Sequence, residues 1–354
     1  MPEHATHNDN VIEALIPRHR AFWELTPVDR PLLHKHVYQF IEPNQDVPLR
    51  DGRTTRDGTT IDPLQFDYQA LIAQRPPPTG GTRGDFLHAA VPHGLCWTEG
   101  YMGANVQAAT GSIWTEPRPW AWDQTESLAA RVSDDNPWYT TLRDYVLTLA
   151  DAAGGRVPVE QTLMRGPIDI IQAIAGSDSL ALGLYDSPNE VRRALELCKD
   201  AFIHIGKLFS DLVPDWHGGR CIHGMWCPGT VIRLQSDHSV LMSPKAYREF
   251  CRPLDLEMAA AFDYSIFHLH SGCVHILDSL LDNPNLTGIQ VTIDSWPSGP
   301  RLYEVMPRLA EIQKAGKCLE ISGGPVSEAE LDQLLSTFPA TGLAVALGIG
   351  STWD

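Results

Sequence analysis

The sequence predicts a (β/α)8 barrel, and three observations carry the prediction. Short apolar strands and amphipathic helices alternate from Val157 to Gly348. Helices open on caps such as Ser187-Pro188 and Ser243-Pro244, with proline at the first helical position. The third is Tyr264–His270, an apolar run held between two helical patterns, Pro244–Phe262 and Val274–Leu281, as a buried strand of a parallel sheet would be.

In order, Met1–Asn10 is polar and reads as a mobile terminus, and Val11–Leu25 as a helix. Residues 1–30 form an N-terminal helical extension, and 31–354 a single barrel domain. Leu32–Phe40 alternates as a first strand, with His34, His36 and Tyr38 on one face. Pro43–Arg83 is loop, rich in Pro, Gly, Asp and Thr, with a short helix at Asp67–Ala73. Asp85–Trp122 combines short strands with aromatic residues, an addition that builds a packed wall. Asn136–Ala152 is an amphipathic helix. Val157–Thr162 reads as a strand, Ile168–Ala175 and Ser177–Leu184 as helices, and Ser187 starts a long helix to about Leu212. Gly224–Ile232 and Ser236–Val240 precede the next helix start. Three strands complete the pattern: Gly288–Asp294, Lys317–Gly324 and Gly342–Gly348. Helices Leu302–Ala315 and Glu328–Leu335 join them.

Composition narrows the function. The chain has 354 residues, 43% hydrophobic and 20% charged, as a soluble enzyme would. Its formal net charge of -17 argues against nucleic acid and against an anionic membrane surface. Seven cysteines, an odd number without a CxxC, and no secretory leader lead us to expect reduced thiols in the cytoplasm. No apolar run has the length of a membrane span.

Chemistry concentrates on strand faces. His268 and His270 point the same way, near the strand end where barrels keep their reactive groups. Two imidazoles are common zinc ligands but do not complete a site; paired core histidines would read the same. Cys318, Glu320 and Ser322 share a face of their strand, as do Gln290, Thr292 and Asp294. Asp237 is a natural base or orienter at a barrel mouth, or the cap of the helix that follows. Arg165, before Gly166-Pro167, suits a substrate anion or a rim salt bridge. His223 and His238 are additional cleft residues or surface loop histidines, and the loop reading is preferred, with His238 kept as a candidate for substrate contact. Cys227 and Cys273 read as buried small residues.

Several stretches together resemble the uroporphyrinogen decarboxylase superfamily. They are Val157–Val213, Ser236-Asp237, Leu241–Phe250 and the His268 strand. The resemblance implies a distorted TIM barrel with its cleft at the C-terminal mouth. It also implies one of two chemistries, a cofactor-free decarboxylase or a zinc-dependent methyltransferase serving methyl-corrinoid proteins. The decarboxylase branch carries an Arg-rich N-terminal stretch where this chain has Lys35–Phe40, so porphyrinogen decarboxylation is not expected. The methyltransferase branch carries His-x-Cys at His268-Leu269-His270, and a cysteine where Ile349 stands here. We therefore expect metal ligands His268 and His270, with a third from Glu320, Cys318 or Asp237. Depth along the strand favours Glu320 over Cys318. Asp237 and Glu320 are the catalytic candidates; His34, His36, Tyr38, Arg165, His238 and Asp294 are the substrate-binding ones.

The function expected is transfer of a methyl or other one-carbon group, with zinc as cofactor and a methyl-corrinoid as co-substrate. The expected partners are a small-molecule substrate, a corrinoid protein and a second copy of the chain in a homodimer. Two alternatives stand beside it: a metal-free decarboxylase or lyase acting on a small carboxylate, and a non-catalytic barrel that binds a corrinoid or another ligand.

Overall fold

The computed structural model describes residues 3–38, 46–56, 58–109 and 112–350. Its centre is a parallel sheet of six strands: β1 (Leu32–Val37), β2 (Val231–Gln235), β3 (Tyr264–His270), β4 (Gly288–Ile293), β5 (Cys318–Val326) and β6 (Leu343–Ile349). They lie in the order β1-β6-β5-β4-β3-β2. The last two residues of the expected first strand, Gln39 and Phe40, lie outside the described residues.

Alternation along each strand sorts the side chains. Phe267, Leu269, Ile289, Val291, Leu319, Ile321, Val345 and Leu347 pack outward into the main core with the helices. Ile266, Cys318 and Ala344 face inward, where they meet Phe22, Trp23, Leu32, Phe86, Met225 and Cys227 in a second apolar cluster. Register extends the inner face toward the strand ends: Gln235 lies opposite His268, His268 opposite Gln290, and Gln290 opposite Glu320. The inner face therefore has an apolar floor at the N-terminal ends of the strands and polar groups above it.

The expected eight-strand ladder is not formed among the described residues. Between β2 and β1 the strands give way to single bonds, an arrangement consistent with a distorted barrel. Asp85 exchanges bonds with Leu33 of β1 through its own N–H (3.0 Å) and its carboxylate (2.9 Å). Val159 makes only an isolated parallel bridge, to Ala90, where Val157–Thr162 was expected as a strand. Pro158 has no N–H to donate to a ladder. The edge of β2 is met by a side chain instead. Gln161 Oε1 accepts from Arg233 N at 3.0 Å, and Gln161 Nε2 donates to Arg233 O at 3.2 Å. One side-chain amide thus does what a neighbouring strand would do.

Three elements differ from expectation in other ways. The first helix spans Glu3–Trp23, so the polar start is helical. The helix expected over Pro244–Phe262 breaks at Cys251 into Pro244–Phe250 and Arg252–Ala260. Pro253 supplies the reason, because it cannot donate back to the preceding turn. Arg220–Ile222 and Met225–Cys227 form an antiparallel hairpin that the sequence pattern did not reveal. No helix among the described residues is long and apolar enough to cross a membrane.

The first helix closes the floor. Phe22 is only 3% exposed, and burying such a side chain contributes about 1.5–3 kcal/mol. Trp23 Nε1 donates to Trp226 O at 2.9 Å. His19, fully buried, accepts from Trp226 N through Nδ1 at 2.9 Å and donates from Nε2 to Asp85 O at 2.7 Å. Both ring nitrogens are committed in the neutral form, so a second proton has no acceptor. Burial, only partly opposed by the bond to Asp85, lowers the His19 pKa to about 4. Between its unfolded value near 6.5 and about 4, the unfolded chain binds the proton and the folded chain does not, so stability falls as pH falls. We predict a loss on the order of 3 kcal/mol across that window from this residue. The loss is read from denaturant midpoints. His19→Gln, which keeps one donor and one acceptor, should flatten the acid limb; an unchanged limb would contradict the assignment.

Candidate metal and acid-base site

The C-terminal ends of β2 and β3 bring three groups together. One ligand atom each from Asp237, His268 and His270 lies within 4.8 Å of the others, a set that could hold a metal ion. His268 and His270 are neighbours on the inner face of β3. Asp237 opens a 3-10 turn, Asp237–Leu241, just after β2. His270 Nε2 stands 3.8 Å from Asp237 Oδ1.

The far side of each ring is tied down. His268 Nδ1 is bonded to Gln290 Oε1, and His270 Nδ1 to Asp294 Oδ1 at 2.7 Å. Gln290 Nε2 in turn donates to Thr292 Oγ1 and Ser322 Oγ, so its oxygen is the atom left for His268. In their neutral forms both rings therefore carry the proton on Nδ1 and turn the Nε2 lone pair to the mouth. Burial, helped by the charge of Arg233, pushes His268 down to about 2, so this ring is neutral. The bond to Asp294 raises His270 against the effect of burial. Burial alone would raise Asp294, but the bonds from His270 and Ser271 outweigh it and hold its carboxyl below the usual range.

Asp237 is positioned from another helix. Asp169, on Pro167–Ala175, accepts the backbone N–H of Asp237 at 3.1 Å and that of His238 at 2.7 Å. Burial, then the charge of Asp237, pushes the Asp169 carboxyl up. Arg233 lies on the inner face of β2 and donates to Gln235 Oε1, while Gln235 Nε2 donates to Asp237 Oδ2. Burial lowers Arg233 to about 10 against the pull of Asp237, Glu320 and Asp169, so it remains a cation.

The other expected ligands are placed elsewhere. Cys318 sits on the floor with its thiol on Phe22 O at 3.0 Å, two residues below the polar layer. Glu320 faces inward but turns its carboxylate to His223, with Oε2 2.7 Å from Nδ1. Neither belongs to the three-group set, whose carboxylate is Asp237. Asp294, expected to bind substrate, is bonded to His270. His238 gives its backbone N–H to Asp169, and burial lowers its half-buried ring.

His34 and His36 lie on the inner face of β1 with rings stacked at 5.0 Å. Tyr38 bonds Ser295 Oγ at 3.0 Å. Arg165 pairs with buried Glu99 at 3.3 Å and lines a cavity of about 290 Å³ with His93 and Cys96. A larger cavity, about 640 Å³, opens at the opposite ends of the strands beside Asp263, Thr287 and Lys317, away from the histidines. Sequence reasoning missed Asp169, Arg233 and the pairing of His223. Arg233 did carry a signal, a lone charge inside Val231-Ile232-Arg233-Leu234.

Close backbone packing holds the turn in place. A Cβ on Gly166 would stand 2.0 Å from Gln235 O, whereas one on Gly272, beside His270, meets nothing within 4 Å. Gly166→Ala should therefore cost about 1–3 kcal/mol or more and displace Asp237, while Gly272→Ala leaves stability near wild type. Thermal melts of the two variants check this; equal effects would contradict it.

No protein-family model and no curated protein matches this chain. A solved structure, a methyltransferase from Methanosarcina mazei, is similar in fold with a TM-score of 0.61. The likeness covers 95% of this chain and 93% of that one at 17% identity, so it speaks to the fold.

Proposed function

We propose that this chain is a methyltransferase-like enzyme that moves a methyl or other one-carbon group with a divalent metal held by Asp237, His268 and His270. The observation that carries the reading is the pair of anchored imidazoles, each presenting Nε2 to one carboxylate. Two imidazoles and a carboxylate suit zinc with a position left open. A metal bound there would supply Lewis acidity to polarise the heteroatom that accepts or releases the carbon group. Gln290 and Asp294 hold the two rings in the ligating tautomer, and Asp169 holds the turn that carries Asp237. Cationic Arg233 balances part of the carboxylate charge.

The resemblance to the zinc-dependent branch of the uroporphyrinogen decarboxylase superfamily supports the same reading. So does the fold shared with a methyltransferase. On that basis the donor is a methyl-corrinoid, delivered by a corrinoid protein. His270 and Ile349 stand where that branch has cysteines, so the site is harder, with nitrogen and oxygen donors in place of thiolates.

The test pairs metal analysis with methyl transfer from free methylcobalamin to a small thiol. Wild type should carry one equivalent of metal and lose transfer on chelation. His268→Ala and Asp237→Ala should purify without metal, and Asp294→Ala should weaken metal affinity about 10–100-fold. Negligible metal in wild type and variants alike would remove the metal from the account. Turnover that survives chelation would favour a metal-free lyase.

A further inference from the structure

Across the inner face from the three-group set lies a second pair of titratable groups. His223 occupies the tip of the hairpin Arg220–Cys227 in a left-handed conformation, φ 54°. A residue other than glycine in that region is strained, and the surroundings must hold it there. They do so from two sides. Buried Glu160 accepts the N–H of the next residue, Gly224, at 2.7 Å, fixing the turn from behind. Glu320, on β5, takes His223 Nδ1 at 2.7 Å with a carboxylate whose side chain is only 5% exposed.

The ring's Nε2 has no hydrogen-bond partner among the described residues, and the side chain keeps 22% exposure. His223 thus has an anchored Nδ1–H and an open Nε2 lone pair, the arrangement a proton acceptor needs. It belongs to the same mouth as the three-group set. Glu320 lies opposite Gln290 in the ladder, Gln290 lies opposite His268, and the charge of His223 is felt at His268. The titratable groups around the pair are Arg233, which reaches Glu320 electrostatically, His268, and Glu160 behind the turn.

We propose that His223 is the general base of the transfer and Glu320 the residue that positions it, a role that rests on the one-carbon reading above. As the acceptor heteroatom forms its bond to the methyl carbon, the bond from carbon to the donor breaks and its electron pair leaves with the donor. The proton of the acceptor's X–H group passes to His223 Nε2 and from there to solvent. The acceptor is thereby assigned to the class of neutral protic nucleophiles, with a thiol as the probe.

The experiment measures methyl transfer from methylcobalamin to 2-mercaptoethanol by the metal-loaded full chain, across pH. His223→Gln should be slower about 10²–10⁴-fold near neutrality, with bound metal unchanged. The deficit should shrink as pH passes the thiol's own pKa, about 8.5 or above, because a thiolate needs no base. Glu320→Gln should show a smaller deficit of the same pH shape. A rate within about threefold of wild type overturns the proposal, as does an equal deficit at every pH, or loss of metal from His223→Gln. A wild-type chain that moves no methyl group overturns the one-carbon reading, and this proposal with it. An active wild type with an indifferent His223→Gln overturns the proposal alone.

Discussion

Two hydrogen bonds, from His268 Nδ1 to Gln290 and from His270 Nδ1 to Asp294, decide which nitrogen of each ring faces the mouth. Without them either tautomer would be available, and the rings could turn on the strand. With them, two lone pairs converge on Asp237 from adjacent inward positions of β3. The partners come from β4 and the residue just after it, so the tethers depend on the register that sets Gln290 beside His268. A register slip of one residue would send both histidines into the helical layer and Phe267 and Leu269 into the mouth.

The charge balance of the mouth follows from the same packing. Asp169, Asp237, Asp294 and Glu320 crowd one end of the sheet, where buried Arg233 and part-buried Arg165 supply positive charge. Burying carboxylates this close together is costly unless positive charge or N–H donors meet them. Asp169 is met by two backbone N–H groups, Asp294 by His270 and Ser271, and Glu320 by His223. Asp237 receives one bond, from Gln235, and its other oxygen faces His270. It is the carboxylate with most to gain from a bound cation.

What could be read from the sequence was what local periodicity encodes. Strand alternation placed His268 with His270, Gln290 with Thr292, and Cys318 with Glu320 and Ser322. Those faces are inward because leucine, isoleucine and valine fill the positions between them. The break before Pro253 was not read, because the helical pattern on either side hid it. The rest depended on long-range contacts with no local signature. Asp237 meets His270 because a helix 68 residues earlier in the chain grips its turn. Glu320 is drawn away from the metal set by a histidine 97 residues distant. Val157–Thr162 has a strand-like sequence, yet the Gln161 side chain, not its backbone, meets β2.

The central claim is that Asp237, His268 and His270 form one metal centre while Glu320 and Cys318 stand outside it. Crystals of the metal-loaded protein, measured with anomalous scattering on both sides of the zinc edge, test this most directly. The account predicts one peak, about 2.0–2.2 Å from His268 Nε2, His270 Nε2 and an Asp237 oxygen, and none at His223 or Cys318. A peak bound to Glu320 or Cys318, or no peak between the two histidines, would contradict it.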